Sequence, residues 1–494
     1  MKPGLNRRDF LKNAAFATTA LSASTLKILA LPEERLKPGA SPRKVIIIGA
    51  GLAGLSAAYE LTQAGHDVTI LEARTRAGGR VYTLREPFSD GLYAEAGAMQ
   101  VFDNHHWTLK YTKLFGLALD PIKPSQLASI TYIRGEKIRI KPGSNVDWPL
   151  DLTPEERKLG RRGMWEKYVL PIVKEVGETE TTETNWPPAS LKKYDRITFT
   201  EFLRHRGASP GAVALLRLGF ADLVGEGAGS ISALFLLREN VHREALKQAY
   251  TIRGGSDYLP QSFASRLADK IRYGAPVVSV EHDSHGVRVV CLQAGAPQTF
   301  AADHLICAVP FSVLRRISVS PPFTREKQSA IEQLPYTSVA RVYLQTRKRF
   351  WFDEGLSGNA STDLPVMGVY ERTINQTGVR GILESYTAGA RARQLTAMRE
   401  DERVGTTLRE MEKLYPSIRE HFEGGAAKCW DEDEWARGAY TWFKPGQMSS
   451  LLPHIARPEG RVHFAGEHAS SAPGWMQGAL ESGNRAAREI NEAP

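Results

Sequence analysis

The stretch from Lys44 to Glu72 constrains the fold more than any other part of the chain. Lys44-Val-Ile-Ile-Ile48 is a short β-branched run of the kind that forms a buried parallel strand. Gly49-Ala-Gly51-Leu-Ala-Gly54 follows, and Leu55 to Ala64 then repeats apolar residues at helical spacing. Gly65 ends that helix, and Asp67-Val-Thr-Ile-Leu71 reads as a second strand finishing at Glu72. Strand, turn, helix and strand make a βαβ unit, which commits this part of the chain to a parallel α/β sheet. The three glycines differ in what they do. Gly49 makes the tight turn, Gly51 lets the backbone approach a pyrophosphate, and Gly54 lets the helix pack closely. The helix N-terminus offers free amide donors. Glu72, about twenty residues on, is placed to accept hydrogen bonds from ribose hydroxyls.

At 494 residues the chain is long enough for two or three domains. Hydrophobic residues at 42% and charged residues at 24% are those of a folded globular protein. The formal charge is +9, but Lys2, Arg7, Arg8, Lys12 and Lys27, offset only by Asp9, place nearly half of it in the first thirty residues. The rest is interspersed with acids, so no nucleic-acid footprint is present. Cys291, Cys307 and Cys429 are too scattered for a disulfide framework or a zinc site and read as small buried hydrophobes. The adjacent pair His105-His106 points in two directions and lacks a third ligand, so no metal site is expected.

Asn6-Arg7-Arg8-Asp9-Phe10-Leu11-Lys12 precedes Asn13 to Leu26, a weakly apolar stretch too short and too rich in Ala, Ser and Thr to span a bilayer. It resembles a twin-arginine signal peptide over residues 1–30, with a Pro-rich linker at 31–43. The expectation is export by the twin-arginine machinery to the periplasm or beyond, with no stable membrane insertion.

Beyond Glu72, Ala73-Arg74-Thr75-Arg76-Ala77-Gly78-Gly79-Arg80 resembles the second fingerprint of the flavin-containing amine oxidases. The resemblance runs from Lys44 to Ile490. It is closest to the L-amino acid oxidases in Arg349-Phe-Trp-Phe-Asp-Glu-Gly355 and Ser361-Thr-Asp-Leu-Pro365. It implies FAD rather than NAD as cofactor, with Ala73 and Arg80 among the binding residues. At the C-terminus, Arg461-Val-His-Phe-Ala-Gly466-Glu467 reads as a strand ending at an acid, and Pro473-Gly474-Trp475 opens the last helix. The family match makes Glu467 a partner of the ribityl or phosphate region and lays Gly474 to Ala479, with Trp475 and Met476, against the isoalloxazine ring. A helix N-terminus there would stabilise charge on the reduced ring by roughly 0.3 to 2 kcal/mol. Leu52 and Ala53, Gly97, Ala98, Met99 and Gln100, and Val277 are further cofactor contacts implied by the resemblance. His463 and His468 flank the strand end, close enough to be weighed as influences on the flavin pocket.

In this family an amine loses hydride from its α-carbon to the flavin, and oxygen reoxidises the cofactor to give hydrogen peroxide. The resemblance makes Tyr440 and Trp475 the aromatic walls of the substrate site, leaving Trp442 and Phe443 as core aromatics. Monoamine oxidases carry a flavin-linked cysteine where this chain has Ala439, so FAD is expected to be non-covalent. Two positions depart from the L-amino acid oxidase pattern. Gln100 follows Gly97-Ala98-Met99 where an arginine would meet the substrate carboxylate, and an amide lacks both the charge and the fork. Arg341 stands where the family has a flavin-adjacent lysine. Tyr370 matches the tyrosine that helps hold the carboxylate, and Gly474 joins it as a substrate contact.

The expected fold is α/β: a discontinuous Rossmann-like FAD-binding domain over 44–97, 250–322 and 423–494, a mixed-sheet substrate-binding domain over 98–149 and 323–422, and a helical lobe over 150–249. The expected activity is FAD-dependent oxidative deamination of L-amino acids to a 2-oxo acid, ammonia and hydrogen peroxide, with Tyr440, Trp475 and Arg341 at the reacting centre. The alternatives are an oxidase of primary amines or polyamines, favoured by Gln100, and a flavin dehydrogenase or desaturase using an acceptor other than oxygen. The partners expected are an amine or amino acid, O2, the export machinery and a second copy of the chain as a homodimer.

Overall fold

The computed structural model describes residues 36–37, 41–179 and 186–493. The expected signal peptide and most of the linker lie outside them. A five-stranded parallel sheet has the order Ile271–Arg272, Asp67–Leu71, Lys44–Ile48, His304–Cys307, Val462–Phe464. Lys44–Ile48 sits at its centre, paired on both sides, and Val45 to Ile48 are all buried. Each of these side chains contributes roughly 1.5–3 kcal/mol of burial, which explains an unbroken apolar run instead of alternation. The helix Leu52–Gln63 begins three residues before the expected Leu55, with Gly51 as its N-cap. It packs against the C-terminal helix Met476–Asn491, where a Cβ on Gly483 would lie 2.2 Å from the Ala53 carbonyl oxygen. Two segments over 400 residues apart in sequence thus form one layer.

A second, antiparallel-rich sheet orders Phe422–Cys429, Val339–Thr346, Gly381–Ala388, Gly368–Glu371, Leu356–Thr362, Ala128–Ile133 and Glu136–Ile140. The sheet corrects one expected boundary. Phe422–Cys429, assigned to the nucleotide domain from residue 423, hydrogen-bonds along Val339–Thr346, so the chain returns to the nucleotide sheet only after Cys429. Between Pro154 and Glu244 the elements among the described residues are helices. Pro154–Tyr168 starts at a capping box in which the Thr153 hydroxyl accepts from the Glu156 amide and Glu156 accepts from the Thr153 amide. Phe199–His205 repeats the device with Thr198 and Glu201. Ala233–Glu244 and the short 3-10 helix Phe220–Leu223 reach the site.

Candidate active site

A cavity of about 500 Å3 is lined by the glycine turn, the seven-stranded sheet and the helix Ala233–Glu244. At the nucleotide end, Gly49 adopts φ +100° with Val309 and Ala308 close behind it. A Cβ on Gly51 would meet nothing within 4 Å, and no side chain caps the helix that starts there. Uncapped first-turn amides beside open space suit a pyrophosphate. Gly49, Gly51, Leu52, Ala53, Glu72, Ala73 and Val277 all line this end. Gly54 does not. A Cβ there would fall 2.0 Å from the Gly49 carbonyl oxygen, so its place is in helix packing rather than among the cofactor contacts where it was also expected. The buried Glu72 carboxylate accepts from the amides of Ala50 at 2.6 Å and Arg74 at 2.8 Å, and burial pushes its pKa up. A carboxylate has further lone pairs beyond these two bonds with which it can accept from ribose hydroxyls.

Midway, one arginine ties distant segments together. Arg80 Nη1 donates to the Ala439 carbonyl and to Glu467 Oε1, both at 2.8 Å, while Glu467 Oε2 accepts from the Gly474 amide at 2.8 Å. Glu467 opens a short 3-10 turn, three residues past the end of its strand. A Cβ on Gly97 would lie 1.9 Å from the Arg80 carbonyl oxygen, so only glycine allows this approach. Gly97, Ala98, Met99 and Gln100 follow one another along the wall, and Ala439 lines it as well. No cysteine does; all three are buried elsewhere.

At the far end Gly474 has φ +81°, and a Cβ on it would lie 3.7 Å from the Tyr440 ring; Trp475 and Met476 start the last helix, with Ala479 one turn on. All five line the cavity. The Tyr440 hydroxyl donates to the Leu223 carbonyl at 2.8 Å and accepts from the Tyr386 hydroxyl at 3.1 Å. Trp475 Nε1 donates to Glu239 Oε2 at 3.2 Å, and the indole packs edge-on against Phe102 and His105. Trp442 and Phe443 lie in the core and do not reach the cavity. Neither His463 nor His468 lines it: His463 Nδ1 is 2.8 Å from Glu489 Oε2, and His468 packs on Phe311, its pKa pushed well below the ordinary value by burial.

The seven-stranded sheet supplies the opposite wall. Its register pairs Arg341 with Tyr386, Tyr386 with Gly368, and Glu384 with Tyr370, so strand alternation brings these side chains to one face. Arg341 lines the cavity as expected, but its Nη1 donates to the Glu95 carbonyl at 2.7 Å and its Nε lies 3.4 Å from Glu384. Its guanidinium stacks on Tyr386. A group held this way positions the wall and cannot stand in for a mobile lysine. Glu384 also accepts from Arg372, whose guanidinium lies over the Tyr370 ring. Tyr370 and Gln100 both line the cavity.

Sequence reasoning missed Tyr386, Arg372, Glu239 and Arg243. Glu239 and Arg243 are four apart on Ala233–Glu244, a spacing that puts them on one helix face. Burial pushes the Glu239 carboxyl up.

Comparisons with known proteins agree with this geometry. The family described as flavin containing amine oxidoreductase matches residues 52–491. The chain is 36% identical over 463 residues to YobN of Bacillus subtilis (strain 168), assigned provisionally as an L-amino-acid oxidase, covering 92% of this chain and 95% of that protein. It is 31% identical over 480 residues to the L-amino-acid oxidase of Gloydius blomhoffii, covering 94% of this chain and 92% of that one. Among solved structures, wild-type putrescine oxidase bound to putrescine superposes with TM-score 0.78 at 25% identity, over 91% of this chain and 99% of that one. Cyclohexylamine oxidase from Brevibacterium oxydans IH-35A superposes with TM-score 0.78 at 23% identity, over 92% and 99%. The uncapped glycine turn, the buried Glu72 and the Arg80–Glu467 link accommodate the dinucleotide such proteins carry. The chain belongs to the flavin-containing amine oxidoreductase family, and its cofactor is FAD.

Proposed function

We propose that this enzyme oxidatively deaminates L-amino acids, converting amino acid, O2 and water to 2-oxo acid, ammonium and hydrogen peroxide. The observation that carries the reading is the charge of the substrate end, where Arg243, Arg341 and Arg372 outnumber Glu239 and Glu384 beside Tyr370. A carboxylate-bearing substrate suits such a wall better than a simple amine does. FAD, when bound, supplies the acceptor for the hydride that leaves the substrate α-carbon. Tyr440 and Trp475 hold the substrate between aromatic surfaces and exclude water from the reacting carbon. Their own polar groups are tied back to Leu223 and Glu239, which keeps both rings in place.

A simple amine oxidase is the second reading. It is favoured by Gln100 and by Glu239, a carboxylate beside Trp475 that can face an ammonium group. Anaerobic mixing of the holoenzyme with L-amino acids and with the corresponding decarboxylated amines separates the two. Bleaching of the flavin by amino acids alone supports the first, and bleaching by amines alone overturns it. Peroxide must also accumulate in air; reduced enzyme that persists in oxygenated buffer would assign the electrons to another acceptor.

We further propose export through the twin-arginine route, resting on Arg7-Arg8 and the stretch after it. Fractionation of cells producing the Arg7→Lys, Arg8→Lys double variant tests this. Unchanged periplasmic activity would refute it.

A further inference from the structure

The arginines that line the cavity differ in what their N–H groups meet. Arg74 is bound to both carboxylate oxygens of Asp433. Arg80 reaches Glu467 and the Ala439 carbonyl, Arg341 reaches Glu384 and the Glu95 carbonyl, and Arg372 reaches Glu384. Arg243 alone among them makes no hydrogen bond or ion pair to an oxygen of the described residues, and its Nε, like that of Arg341, is buried without a partner. A half-buried guanidinium with one buried N–H left unpaired carries a desolvation cost, and an anion with two coplanar oxygens relieves it.

Its surroundings hold it ready. The Arg243 guanidinium lies 3.6 Å above the Phe220 ring and 5.6 Å from the Trp475 ring. Stacking on an aromatic face sets the plane of the fork and leaves its N–H edges free to point outward. Burial pushes the Arg243 pKa down, opposed first by the Glu239 carboxyl and then by Tyr370 and Tyr440, which lie on two other segments lining the same cavity. Glu239, one turn earlier, is turned toward Trp475 Nε1.

Resting on the proposed amino-acid substrate, we infer that Arg243 binds the substrate α-carboxylate, together with Tyr370, in the place that Gln100 cannot fill with charge. The carboxylate is gripped from the helix Ala233–Glu244 instead of from the strand Gln100–Phe102, so the cage formed by Tyr440 and Trp475 lies beside its anchor.

The test is binding to the purified holoenzyme, read from the flavin absorbance band with benzoate and its neutral isostere benzamide. Wild type should prefer benzoate. Arg243→Met should weaken benzoate by about 10- to 100-fold, the worth of a hydrogen-bonded charge, and leave benzamide unchanged. Arg243→Lys should recover part of the preference, and it serves in the same comparison if Arg243→Met does not retain FAD. Unaltered benzoate binding in the variants overturns the inference, as does equal weakening of both probes. Anaerobic reduction by monocarboxylic and dicarboxylic L-amino acids completes it. A defect confined to glutamate and aspartate would move Arg243 to the side-chain pocket and also overturn the assignment. Wild type that no L-amino acid reduces would defeat the proposed function itself, whereas wild type reduced with variants unaffected would defeat only the role of Arg243.

Discussion

Glu95 is buried behind the cavity wall, its Oε1 accepting from the Ser256 amide at 2.7 Å and its Oε2 from the Thr83 hydroxyl at 2.8 Å. Burial outweighs these bonds and raises its pKa to about 7. A carboxyl raised in the folded state binds its proton more tightly there than in the unfolded chain. Its contribution to stability is therefore complete below the ordinary value near 4.5 and is lost as pH climbs through about 7. Glu95→Gln keeps the shape and removes the titration. The variant should gain on wild type across that window, reaching on the order of 3 kcal/mol by pH 8. Urea unfolding of both proteins at pH 5 and pH 8 checks this; a constant difference would show that Glu95 does not titrate there. Asp433 has the opposite sign. Burial pushes it up, but hydrogen bonds from Arg74 and Lys428 prevail and hold it at about 2, so its contribution is lost only as pH falls from about 4 toward 2.

The contact between Leu52–Gln63 and Met476–Asn491 depends on Gly483, where a Cβ would meet Ser56 Oγ and the Ala53 carbonyl oxygen at 2.2 Å each. Gly483→Ala should part the two helices and displace the turn that carries Gly49 and Gly51. Purified variant is expected to hold less FAD per chain, measured by the flavin-to-protein absorbance ratio, and to unfold about 1–3 kcal/mol more easily. Elements whose pattern lies within one segment were legible in the sequence: the βαβ unit and the start of the last helix each announce themselves locally. What depends on pairing between segments was not. Phe422–Cys429 contains Gly424-Gly425-Ala426-Ala427, which has little intrinsic strand preference, yet a Cβ on Gly425 would lie 2.4 Å from the Tyr343 carbonyl oxygen, so close strand pairing needs that glycine. Tyr386 entered the site for the same reason, through register with Arg341 and Gly368 that no single segment encodes. Arg243 was legible as a helical residue. Which way its helix face turned was not.

Across the molecule, the cavity is built from the nucleotide sheet, the seven-stranded sheet and the helix Ala233–Glu244, so its lining is contributed by segments spread along the chain. A ligand that binds only the folded form stabilises it by about 4 kcal/mol at a thousandfold excess over Kd. Stripping FAD should therefore lower Tm, and adding it back should restore Tm in a concentration-dependent way. A Tm indifferent to FAD would mean that the site is not closed around it. The order of the parallel sheet has a consequence for biosynthesis. Its central strand is made first, but the edge strand Val462–Phe464 and the helix from Met476 are made last. A chain stopped between Glu72 and Glu467 has a complete Gly49–Glu72 unit but no Arg80–Glu467 link and no Trp475. The complete cavity lining therefore exists only once the segment carrying Glu467 and Trp475 has been made and has folded back onto that unit.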